Sequence, residues 1–133
     1  MYLLDTNVIS ELRKPKPHGA VVEWISKVND SGLFLSAVTV GEIQSGIETT
    51  RDQDPLKANQ IENWLDQLIN NFNILPMDTL AFRIWGKLMS KESNTVNEDA
   101  MIAAIAISNH LTVVTRNVKD FQRFEVSLIN PFN

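Results

Sequence analysis

Apolar residues along this chain follow two spacings. Short continuous runs at Tyr2-Leu3-Leu4, Leu33-Phe34-Leu35, Ile74-Leu75, Thr112 to Thr115 and Val126 to Ile129 predict buried strands. Between them, apolar positions recur at helical spacing. Val21, Trp24, Ile25 and Val28 stand at i, i+3, i+4 and i+7 and predict a helix over 20–28. Ile61, Trp64, Leu65, Leu68 and Ile69 form the broadest stripe, within a predicted helix over 56–71. Further helices are predicted over 7–13, 39–50, 79–91 and 98–109, the last apolar on nearly every side and therefore central.

The punctuation agrees with this division. Lys14-Pro15-Lys16-Pro17 and Arg51 to Pro55 end helices, because proline removes a donor and restrains the residue before it. Asn29-Asp30-Ser31-Gly32 reads as a turn, Asn94 to Asn97 as a polar connection, and Asp78 as a cap for the helix that follows. Strands alternating with helices predict an α/β fold, with a mainly parallel sheet of about five short strands and right-handed crossovers. At 133 residues, with no linker or internal repeat, residues 1–133 read as a single domain.

Four carboxylates fall where strands end or helices begin. Asp5 closes the first strand, Glu42 follows the second, Asp99 opens the most apolar helix, and Asp120 lies beyond the fourth strand. The carboxyl ends of parallel strands share one rim, where ligands bind. Acids meeting there raise one another's pKa unless a cation is present. An all-carboxylate set suits a hard ion such as Mg²⁺ or Mn²⁺. Thr6, Asn7, Thr115 and Asn117 are polar neighbours of these acids, suited to holding water or phosphate oxygens, and equally suited to turns and caps.

Composition narrows the field. With no cysteine there is neither a disulfide framework nor a thiolate zinc site, and neither of the two histidines, His18 and His110, stands in a ligand pair or beside a nucleophile. No apolar run reaches membrane length and no secretion signal is visible, so a cytoplasmic protein with no membrane association is expected. The net charge of −4 comes from 16 acids and 12 bases, so setting the four rim acids aside leaves 12 of each sign. Local basic patches for nucleic acid therefore remain open. Arg116, Lys119 and Arg123 border Asp120. Arg83, Lys87 and Lys91 form a row that either tracks a phosphate backbone or is a solvated helix face.

Every acid also has an ordinary structural role open to it. Asp5 suits an N-cap. Thr39-Val40-Gly41-Glu42 matches a capping box in which Glu42 reaches back to the Thr39 N–H. Asp99 is favoured by the dipole of its helix, and Asp120 suits a turn. The functional reading rests on the constellation and its order along the chain.

That order resembles a known family. Leu3-Leu4-Asp5-Thr6-Asn7-Val8 resembles the opening of PIN-domain nucleases. Ser36 to Ile43, with Gly46-Ile47-Glu48 following, resembles the second family motif, Asp99 to Ala104 the third, Val114 to Phe121 the fourth, and Asn130-Pro131-Phe132 the usual ending. The likeness is nearest the VapC and FitB branch, the toxin halves of bacterial toxin–antitoxin pairs. It implies an α/β/α sandwich and a Mg²⁺-dependent endoribonuclease, with Mn²⁺ able to substitute. It also implies a homodimer and a small antitoxin that blocks the site. Asp5, Glu42 and Asp99 fall on the family's firmest acid positions. Asn117 occupies a slot that is Asp in some members, and Asp120 is the acid available nearby.

On this reading Asp5 and Asp99 bind the metal, Glu42 and Asp120 complete the shell directly or through water, and Arg116, Lys119, Arg83 and Lys87 meet RNA. Two alternatives stand beside it. A metal-dependent phosphatase is disfavoured by Asn7, where a second aspartate would be needed. A catalytically silent PIN-type binding module is disfavoured by the retained acids. Part of the helix that carries the stripe Ile61 to Ile69, or of its neighbours, is expected to bury against a second copy.

Overall fold

A computed structural model describes residues 1–133. Five parallel strands, β1 (Tyr2–Leu4), β2 (Leu33–Ser36), β3 (Asn73–Leu75), β4 (Thr112–Val114) and β5 (Leu128–Ile129), form one sheet in the order β3-β2-β1-β4-β5. β1 lies at the centre, with Leu3 opposite Phe34 on one side and Val113 on the other. The chain first builds outward through β2 and β3, then returns to add β4 on the opposite flank of β1. The boundary between β1 and β4 is thus a topological switch point, where the loops beyond the strands diverge and leave a crevice.

Seven helices cover both faces: α1 (Thr6–Arg13), α2 (Gly19–Ser26), α3 (Ala37–Arg51), α4 (Pro55–Asn71), α5 (Thr79–Met89), α6 (Asn97–Ser108) and α7 (Val118–Phe121). Successive strand residues point to opposite faces, and the core divides accordingly. Leu3 and Val113 pack with α6, Phe121 and Ala81 of α5 on one side. Leu4, Val114, Leu33 and Leu35 pack with α1 to α4 on the other. The architecture is the expected α/β/α sandwich. Leu4 is fully buried beside the acid that follows it; truncating such a leucine to Ala costs about 2–5 kcal/mol. No helix is long and apolar enough to cross a membrane.

Most boundaries agree with the hydrophobic pattern, and the departures have local causes. α3 starts at Ala37, because Ser36 caps it by accepting from Thr39 N–H at 3.0 Å. α2 ends at Ser26, before Val28, and a 3-10 turn follows over Asp30–Gly32. Asp78 caps α5 as expected, accepting from Ala81 N–H at 2.9 Å. The fourth strand stops at Val114, and α7 is an additional helix of four residues, too short to show a period. α6 ends in a Schellman turn: Leu111 N–H donates to Ala106 C=O at 2.8 Å, with His110 in the left-handed region at φ 56°.

The apolar stripe of α4 is only partly covered. Leu65 and Leu68 are buried in the chain's own core, with Ile61 and Trp64 packed against it, and only Ile69 is exposed. The inner part of the stripe faces inward because α4 lies back along α3, while Ile61 and Trp64 stay half-buried and Ile69 exposed.

Candidate active site

Asp5 sits at the switch point. Its N–H extends the ladder to Val114 C=O at 2.9 Å, and its carboxylate caps α1 by accepting from Thr6 N–H at 2.8 Å. Oδ2 accepts from Thr115 Oγ1 at 2.8 Å and from Asn7 Nδ2 at 3.1 Å. The ordinary cap role and the rim position therefore coexist. Burial pushes the Asp5 pKa up, and the bonds from Thr115, Thr6 and Asn7 pull it back.

Thr115 and Asn7 also tie the two strand ends to each other. Thr115 Oγ1, fully buried, accepts from Asn117 N–H at 2.9 Å, and Asn7 Oδ1 accepts from Arg116 N–H at 3.2 Å. The Asp5 corner thus uses both short segments that leave β1 and β4. Ionised carboxylates only accept, so every donor around Asp5 is directed at it.

Glu42 does not behave as the capping box requires. Ser36, not Glu42, completes the cap of α3, and the Thr39 N–H is satisfied there. Glu42 lies in the second turn, where its Oε1 accepts from Thr6 Oγ1 at 2.9 Å; Thr6 Oγ1 is also 2.9 Å from Thr39 Oγ1. A hydroxyl chain Ser36–Thr39–Thr6 thereby joins the β2 corner to the β1 corner. Sequence reasoning missed Ser36 and Thr39 in this role, since hydroxyls at a helix start read as caps.

Asp99, in the first turn of α6, accepts no hydrogen bond from the protein; α6 begins with Val96 at its cap position and no side-chain cap. Burial and repulsion from Asp5, Asp120 and Glu98 push its pKa up to about 6, against a smaller pull from Arg123. Burial likewise raises Glu42, with Asp5, Glu98 and Asp99 adding to it and the Thr6 bond opposing it. The carboxylates at positions 5, 42, 99 and 120 therefore share one electrostatic field. Asp120 lies exposed on α7, within the reach of Asp99 that this repulsion records. Glu98 is an addition; the Glu98-Asp99 doublet was the available signal. With Val38, Gly41 and Ser45 it lines a depression beside Glu42 of about 450 Å³.

The donor chemistry at this rim fits a hard divalent ion: carboxylates predominate, sulfur and imidazole are lacking, and Asp99 has free lone pairs. The acids are not drawn into a finished ligand set, since no three His, Cys, Asp or Glu side chains are close enough together to hold a metal ion.

Among the basic residues, Arg123 is the one whose charge acts on Asp99, while Arg116 joins the network through its backbone N–H, which donates to Asn7 Oδ1. Its guanidinium lies over the Phe132 ring at 4.4 Å, and His18 meets the same ring edge-on at 5.3 Å. Phe132 was visible in the sequence only as part of a terminal motif. Lys119 is exposed on α7. Arg83 and Lys87 are exposed on α5, and no hydrogen bond or ion pair links them to the acids.

A parallel sheet carrying acids from four segments at one rim defines the class, and residues 2–126 match the PIN domain, so this chain belongs to the PIN domain family. It is 34% identical to the plasmid stability protein StbB of Pseudomonas syringae pv. tomato, with 99% of each chain covered. It is 34% identical to the toxin FitB of Neisseria gonorrhoeae, covering 100% of this chain and 99% of that one. Identity to the VapC ribonuclease Y4jK of Sinorhizobium fredii is 35%, covering 99% and 98%. Among solved structures, FitAcB from Neisseria gonorrhoeae superposes with a TM-score of 0.88 at 34% identity, covering 100% of this chain and 99% of that one. VapBC-1 from nontypeable Haemophilus influenzae gives a TM-score of 0.79 at 27% identity, covering 99% and 98%.

Proposed function

We propose that this chain is the toxin of a toxin–antitoxin pair and acts as a Mg²⁺-dependent endoribonuclease, with Mn²⁺ able to substitute. The observation that carries the reading is the convergence of Asp5, Glu42, Asp99 and Asp120 on one rim, where burial and the neighbouring acids push the Asp99 pKa up to about 6. Relatives named as a VapC ribonuclease and as the toxin FitB, each covering nearly the whole chain, support the choice of reaction and of biological role.

In this reading Asp5 and Asp99 hold the ion, and Glu42 and Asp120 complete its surroundings directly or through water. When bound, the ion supplies Lewis acidity to a phosphodiester and to water. The chain's own groups supply geometry. Thr115, Asn7 and the Thr6 N–H fix the Asp5 carboxylate, so its orientation needs no rearrangement on substrate arrival. Thr6 fixes Glu42. Arg116, held against Phe132, offers its N–H edge to an RNA phosphate, and Lys119 extends the same positive border. Arg83 and Lys87 are assigned to more distant phosphates.

Residues 1–133 act as one nuclease domain, cytoplasmic, paired with an antitoxin protein and with a second copy of the chain. The complexes named FitAcB and VapBC-1 support the antitoxin. The homodimer follows from the family resemblance, and its face lies outside the buried part of the α4 stripe.

One feature favours the second reading, a catalytically silent PIN-type binding module: the acids do not form a finished ligand set. The decisive measurement is cleavage of RNA by the purified chain. Activity lost in EDTA, restored by Mn²⁺ and absent in Asp5→Asn supports the nuclease. No cleavage under any divalent ion leaves the silent module.

A further inference from the structure

A second recognition feature lies along α1, on the side of Glu42 away from Glu98. Thr6, Ser10 and Arg13 stand at i, i+4 and i+7, so they share one helix face. With Glu42, Gly46 and Trp64 they line a groove of about 260 Å³. It begins at the Thr6–Glu42 hydrogen bond, within the acid network, and runs toward the end of α1. Seven residues of helix rise about 10 Å, so Arg13 stands one step beyond a phosphate placed at the acids.

Arg13 has no carboxylate partner among the ion pairs of the chain. Its guanidinium instead lies 5.8 Å from the centre of the Trp64 ring. A flat cation against an aromatic ring is restrained in orientation and keeps its N–H edges free. Ser10 makes no hydrogen bond through its hydroxyl to any protein group. A Cβ added at Gly46 would meet nothing within 4 Å, so the wall at that point is open.

We propose that this groove is a phosphate subsite for single-stranded RNA, with Arg13 binding the backbone phosphate next to the one placed at the acids and Trp64 orienting the guanidinium. The proposal rests on the nuclease reading for the identity of the strand. The unpaired cation of Arg13, with the free hydroxyl of Ser10 one turn away, favours a phosphodiester strand over a peptide.

The test measures binding of a fluorescein-labelled single-stranded oligoribonucleotide in EDTA, with Asp99→Asn as the common background. Neither cleavage nor the full charge of the acids then intervenes. Arg13→Ala should bind several-fold more weakly, and the slope of log K against log salt should flatten by about 0.7, the value of one single-strand phosphate contact. Arg13→Lys should keep the slope, and Ser10→Glu, which puts a negative charge in the groove, should weaken binding with Arg13 intact. Melting temperatures verify folding, and if Arg13→Ala fails to fold, Ser10→Glu decides. An unchanged slope in Arg13→Ala, or unchanged affinity in Ser10→Glu, overturns the subsite and leaves the groove to a protein partner. Cleavage by the wild-type chain with Mn²⁺ is assayed in parallel. Cleavage with an unchanged slope defeats the subsite alone, whereas a changed slope without cleavage defeats the nuclease reading and leaves a phosphate-binding groove.

Discussion

Asp5 and Asp99 are both aspartates at one rim, yet the protein treats them in opposite ways. Asp5 is buried and receives three hydrogen bonds, from Thr115, Asn7 and the Thr6 N–H. Asp99 is half-buried, receives none, and faces other acids. Desolvation raises both pKa values, but at Asp5 bonds to the charged form oppose it, while at Asp99 neighbouring charges add to it. The first carboxylate is held by the fold. The second carries its charge against burial and against its neighbours.

The comparison breaks most readily at Asp5. Asp5→Ala removes a cap and strands the donors of buried Thr115 and half-buried Asn7, so it should destabilise the chain by about 2–4 kcal/mol and abolish cleavage. Urea unfolding measures the first effect; a loss below the error of the fit would show that Asp5 is not held as described.

Asp99→Asn should do the reverse for stability in chelator. The folded pKa of about 6 lies above the unfolded 3.8, so the native state binds more protons between those values and stability falls as pH rises through that window. The full shift would correspond to about 3 kcal/mol, and solvent screening at a half-exposed group reduces this to roughly 1 kcal/mol. Melting curves of the variant and wild type should coincide near pH 4 and separate by a few degrees at pH 7. Mn²⁺ should narrow that gap by stabilising wild type more. A gap independent of pH would mean that Asp99 acts as a structural residue.

Thr115→Val sharpens the contrast at smaller cost. It removes one bond to Asp5 and the acceptor for Asn117 N–H, which should lower stability by about 1 kcal/mol and reduce cleavage by loosening Asp5. Unaltered kcat with lowered stability would show that orientation of Asp5 is not limiting. The smallest effect should come from Arg116→Ala, which loses a cation–π contact of about 0.5–1 kcal/mol and flattens the salt dependence of RNA binding. An unchanged salt slope would assign Arg116 to folding or to contact with the antitoxin.

The helices and strands were legible because local spacing encodes burial. Leu3 and Leu4, adjacent in sequence, had to face opposite sides of any sheet, and they enter the two separate cores. Asp78 was readable as a cap because its partner, Ala81, is three residues away. The four-residue α7 was not readable, since less than two turns carry no periodicity. The α4 stripe was legible as a stripe, but spacing alone does not say that its inner residues Leu65 and Leu68 pack into the chain's own core against α3.

The sequence by itself determined the alternation of strands and helices, the acids at their junctions and the family motifs, all of which depend on residues close together in the chain. Only the tertiary structure decided the partners. Thr115 meets Asp5 across 110 positions, and Glu42 turns from its own helix cap to Thr6, 36 positions away. These pairings follow from the placement of β1 between β2 and β4, which brings distant strand ends side by side. Strand order arises from packing two apolar faces at once, so no local pattern records which hydroxyl will reach which carboxylate.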